Sequence, residues 1–226
     1  MPHRDRFYLW MSLALALTAF AGFAPTFFLR PWFEQTIELT PLMHVHGALF
    51  SAWVVLLVAQ TRLVAGGRTD VHRRLGVAGA ALAVAMAPAG VLLAFESARR
   101  GFAPQGLDAV TFLAVPLGSV VMFAGFVAAA LAMRKRPAFH KRLMLLASIS
   151  IITPALARLV GRRPIYALAL TPLFVAAAIA HDYRRDRRVH PIYLWGGLFI
   201  LVSGPLRIAI GRTDAWHAIM RRLGGL

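Results

Sequence analysis

Eight histidines stand in a chain of 226 residues that contains no cysteine. Imidazole can ligate a metal, hold a haem iron or carry a proton near neutral pH. Without cysteine, disulfides, thiolate nucleophiles and cysteine metal sites are excluded. Three of the histidines adjoin basic turns: His72 in DVHRRLG, His140 in FHKRLM and His190 in VHPIYLWGG. Asp182, beside His181, ends an apolar run on the same expected side. Two chemistries suit this set. A b-type haem needs two neutral imidazoles on facing helices, cations for its propionates and small residues beside the ring. His72 and His140 are the expected axial pair, and Gly76, Gly79, Ala83 and Gly90 follow His72. A zinc ion needs three nitrogen or oxygen ligands and an open position for water. His72, His140, His190 and Asp182 have the right types, although no pair of them is spaced i, i+4.

A second group falls toward the other end of the same runs. His46, Trp53 and Gln60 are seven apart, so a helix places them on one face, with Phe50 and Leu57 between. His44 lies roughly 200° around from His46 and cannot share its site. Arg158 follows His140 by 18 residues and shares its face in an unbroken helix. Arg207 follows Pro205 in the last apolar run. Arginine inside a membrane helix is costly and usually faces the bundle interior or water, unless it snorkels to the headgroups. Arg158, Arg207 and His46 would together make an anion-friendly pocket. They join His72 and His140 as candidate cofactor-binding residues.

The elements that must position these residues are apolar runs of about 20 residues, long enough to cross a bilayer. Hydrophobic residues make up 59% of the chain, with a mean hydropathy of +0.66. This predicts an all-α polytopic bundle, a single domain of about seven transmembrane helices. They are expected at about 7–29, 41–65, 75–98, 109–133, 140–160, 165–183 and 191–210, with an interfacial helix at 213–224. The first run is read as an uncleaved helix rather than a signal peptide. Of the 25 lysines and arginines, 14 fall in the tail and turns expected inside, so the N-terminus should be cytoplasmic and the C-terminus periplasmic. The net charge of +16 then reflects topology and contact with lipid headgroups rather than nucleic acid. His72-Arg-Arg-Leu returns 68 residues later as His140-Lys-Arg-Leu, so helices 2–3 and 4–5 read as two copies of one hairpin. Both lysines lie in or beside a turn, which excludes a retinal Schiff base in helix 7, and no Walker, GxSxG or HExxH motif occurs.

The stretches FAGFAPTFFLRP, HGALFSAWVVLLVAQ, DVHRRLGVAG, HKRLMLLASI and HPIYLWGG resemble an uncharacterised family of bacterial predicted inner-membrane proteins. The resemblance implies a multi-helix fold in the bacterial inner membrane and points to His46, His72, His140 and His190. It implies no activity. The chain is more distantly similar to multi-helix b-type cytochromes and ferric-reductase-like proteins, and departs from their four-histidine pattern because helix 4 has no histidine to face His46.

The leading expectation is therefore a membrane protein that binds haem b or a metal at the inner histidines and exchanges electrons with a quinone or small redox partner. A zinc-dependent membrane hydrolase is the second reading. A cofactor-free carrier or structural protein, with lipids as its partners, is the third. The three differ in whether the inner histidines converge.

Overall fold

The computed structural model describes residues 6–33, 38–161 and 164–224. All regular structure among them is helical. Among the described residues six helices are long and apolar enough to cross a membrane, or seven if the bent pair Pro137–Ser150 and Thr153–Leu159 is one span. The order is α1 (Phe7–Phe23), α2 (Pro41–Ala65), α3 (Thr69–Arg99), α4 (Ala109–Ala132), α5 (Pro137–Ser150), α6 (Thr153–Leu159), α7 (Pro164–Asp186), α8 (Pro191–Gly211) and α9 (Asp214–Gly224). The chain is a multi-pass membrane bundle, as the apolar runs predict. Arg162 and Arg163, two cations in a turn on the side expected outside, lie outside the described residues.

Local chemistry sets most of the boundaries. Pro41, Pro137 and Pro191 open their helices, where the missing N–H has no helical partner to lose. Thr40 accepts the Met43 N–H and Asp108 accepts the Thr111 N–H, so each caps the helix that follows. Gly67 takes a positive φ of 79° in the tight turn from α2 to α3. Two expectations need correction. Helix 3 begins at Thr69, a turn and a half before the predicted 75, so His72 is inside it. The predicted continuous helix 140–160 is broken after Ser150 and bent by 46°. Pro154 has no N–H for the Ser150 carbonyl and its ring crowds that group, so the helix restarts as α6. The face shared by His140 and Arg158 in an unbroken helix therefore does not exist.

Two packing units result. In the first, α2, α3, α4 and α5 surround Trp53, Ala83, Met86, Phe123, Val127 and Ala147. In the second, α1, α6, α7 and α8 close on α5 around Leu15, Leu146, Ile149, Leu156, Ala178 and Tyr193. Gly22 lets α1 press against the Ala155 backbone of α6, where a Cβ would collide. The amphipathic tail does not simply float in the interface. In α9, Met220 packs on Ala94, Ala98 and Leu113, and the Trp216 indole donates to the Val110 carbonyl at 2.8 Å. Ile219 and Leu223 remain exposed.

Candidate functional site

His72 and His140 are each the fourth residue of their helix, α3 and α5. The repeated basic turns thus place equivalent imidazoles side by side. Their ring centres are 6.2 Å apart, with planes at 78°. The neighbours fix which nitrogen of each ring carries the proton. Gln60 of α2 reaches the first turns of α3, where its amide oxygen accepts the Gly76 N–H at 3.0 Å. Its amide nitrogen faces the His72 carbonyl at 3.2 Å and His72 Nδ1 at 2.7 Å. With the Gln60 amide assigned the orientation that satisfies both backbone partners, its nitrogen donates and His72 Nδ1 accepts. The neutral His72 ring then carries its proton on Nε2. His140 is the reverse. Its Nδ1 lies 2.8 Å from the Ala130 carbonyl and must donate to it, which leaves Nε2 a bare acceptor. Ala130 is fully buried in the last turn of α4, where carbonyls have no helical donor, so His140 closes that helix.

The pair thus offers one N–H and one lone pair. The spacing suits a haem iron, because imidazole nitrogens about 2 Å from a shared ion put the ring centres roughly 6 Å apart. The protons do not suit it. Axial ligation needs a bare nitrogen on both rings, and His72 has Nδ1 engaged by Gln60 and Nε2 protonated. Ligation by both rings would require the Gln60 amide to turn its oxygen to His72 Nδ1 and give up both backbone partners. The zinc set fits no better, since among the described residues no three histidine, aspartate or glutamate side chains gather.

Asp182 and His190 belong to a different cluster. The Asp182 carboxylate is paired with Arg142 through two bonds of 2.9 and 2.7 Å, and both side chains are buried. Arg142 also donates to the Ala138 carbonyl and lies over the Tyr193 ring. The Tyr193 hydroxyl donates to that of Tyr8, which ties α8 to α1. The His190 N–H donates to Asp182, and its Nδ1 accepts the Ile192 N–H at the start of α8. Burial, and then the Arg142 charge, push the His190 imidazole below its ordinary value, while Asp182 opposes them. Arg142 was readable only as one cation of a basic turn. The signal that could have found it is Asp182, the lone acid closing an apolar run, which needs a cation when buried.

At the opposite end, the His46 ring stacks on Phe50 with centres 4.0 Å apart. Arg158 lies 4.2 Å from the Phe23 ring centre and donates to the Pro154 carbonyl. Arg207 turns away from both, toward α4. It donates to the carbonyls of Ser203 and Val115 and to the hydroxyls of Ser119 and Ser203. Gly118 leaves the room for it, since a Cβ there would collide with its chain. Arg207 is thus an interior arginine. It stands 17 residues along α8 from His190, roughly 25 Å in a helix, and does not reach His72 or His140. Between the two ends, the Trp53 indole donates to the Ser148 hydroxyl at 3.3 Å.

Comparison with family models, curated proteins and solved structures finds no significant match. Function must come from the geometry.

Proposed function

We propose that this membrane protein binds a lipid-soluble hydroxyl compound of the quinol class between His72 and His140. The observation that supports this is a pair of imidazoles with centres 6.2 Å apart, to which Gln60 on one side and the Ala130 carbonyl on the other assign opposite protonation. A hydroxyl is both donor and acceptor, which is what such a pair complements. The ligand oxygen accepts from His72 Nε2–H, and its proton points at His140 Nε2. The two rings have unequal roles. His140 can take a proton and keep its bond to Ala130, because an imidazolium donates from both nitrogens. His72 cannot become an imidazolium without opposing the Gln60 amide. His140 is therefore the proton acceptor, and His72 orients the ligand. Both residues are half-buried at the start of helices that carry basic turns, a depth a quinol headgroup can reach from the bilayer.

The test is calorimetric titration of the purified protein with a short-chain quinol in uncharged detergent. Saturable, stoichiometric binding is expected, abolished in His140→Leu and weakened in His72→Leu. A Soret band with the spectrum of two axial imidazoles would overturn the reading in favour of haem b. Failure of any quinol to saturate the wild type would also end it.

A further inference from the structure

Away from the histidine pair, a cavity of about 380 Å³ lies where α5 breaks into α6. Arg207, Thr153 and Thr171 bring polar groups to its wall, and Leu168, Ala169 and Leu201 bring apolar ones. Arg207 carries a full charge into the bundle. Its four acceptors are neutral, and no carboxylate pairs with it among the described residues. Of its five N–H groups, one on Nη2 has no protein acceptor. Arg142 shows the contrast, because its charge is met by Asp182.

A second observation concerns three prolines. Pro154, Pro172 and Pro205 each stand four residues after Ser150, Leu168 and Leu201. A proline has no N–H for the carbonyl four residues back. Ser150, Leu168 and Leu201 all line the cavity, from three different helices. The residues of the wall thus include a cation with no carboxylate partner among the described residues and three residues whose carbonyls have no N–H four positions on. One of these helices is broken outright, between α5 and α6, and discontinuous helices beside a cavity form ligand sites in membrane carriers.

We infer that the cavity binds a small organic carboxylate bearing a hydroxyl or ammonium group next to the carboxylate. The carboxylate meets Arg207, the neighbouring donor meets the freed carbonyls, and a short apolar body lies against Leu168 and Leu201. The volume is at the lower end of the roughly 300–1,000 Å³ of small-molecule pockets.

The purified protein in uncharged detergent would be titrated calorimetrically with propionate, lactate, alanine and propanol. Lactate or alanine should bind saturably, tighter than propionate by about tenfold for the added donor. Propanol, with no charge, should not bind. Arg207→Gln should weaken binding by about thirtyfold or more. Ala169→Trp adds bulk to the α7 wall of the cavity and leaves the Arg207 acceptors, all on α4 and α8, in place, so it should also weaken binding with the arginine present. Native mass spectrometry supplies the other arm. If an anionic phospholipid copurifies with the wild type, is lost in both variants, and no soluble acid binds, a lipid headgroup is the occupant and the inference falls. It also falls if no acid saturates the wild type, or if binding is indifferent to both variants.

Discussion

Removing the Gln60 amide would free the His72 ring to exchange its two tautomers. Gln60→Leu should therefore turn the single Nε2-protonated signal of His72, read by nitrogen NMR of labelled histidine, into a mixture. Quinol affinity should fall by about tenfold, the worth of one oriented hydrogen bond. An unchanged tautomer would mean that something other than Gln60 sets it. The candidate pair was legible because imidazoles beside basic turns are few and carry a recognisable repeat. Gln60 was legible only as a member of the Trp53 stripe. Its action was not, because it depends on α3 beginning at Thr69, which brings the His72 carbonyl and the Gly76 N–H within reach of one amide. A helix starting at 75 would have no such pair.

Among the elements, the starts of α5 and α8 and the end of α7 are joined by the Arg142–Asp182 pair. Removing one member leaves a buried charge alone. Arg142→Met should destabilise the protein by about 3–5 kcal/mol, and Arg142→Met with Asp182→Leu should recover most of that loss. Unfolding in mixed micelles would measure both; additive losses would show that the pair is not coupled. The cap of α8 makes a pH prediction. The folded His190 titrates below its ordinary value of 6.5, so its neutral form contributes stability above 6.5 that is lost as pH falls through the lowered folded value. Protonation removes the Nδ1 acceptor for the Ile192 N–H. His190→Asn keeps a capping acceptor without a titration, so its melting midpoint should fall less than that of the wild type between about pH 7.5 and pH 5. Equal falls would place the acid sensitivity elsewhere. Helix existence was readable from apolar length, and most ends from proline and capping residues. The α5–α6 break was not, since a proline kinks some membrane helices and ends others, and tertiary packing of α6 against α1 decides between them.

For the whole molecule, apolar content and charge placement were sufficient for the bundle class. They said nothing about which cations turn inward. Arg142 and Arg207 do so for different reasons: one meets a carboxylate on α7, and the other finds carbonyls and hydroxyls above Gly118 on α4. Neither follows from spacing along its own helix. The bend between α5 and α6 also has a mechanical consequence. Beyond it, α6 is wedged against α1 through Gly22, while α5 is anchored to α4 by His140 and to α7 by Arg142. Gly22→Leu should push α6 off α1 and change carboxylate affinity at the cavity, while quinol affinity at the histidine pair stays within about twofold, as for distant sites without shared partners. Parallel losses in both titrations would show that the protein responds as one rigid block. The independent outcome would make the break at Ile151 and Ile152 the pivot of a crank, with torque on α6 taken up there before it reaches the anchored half.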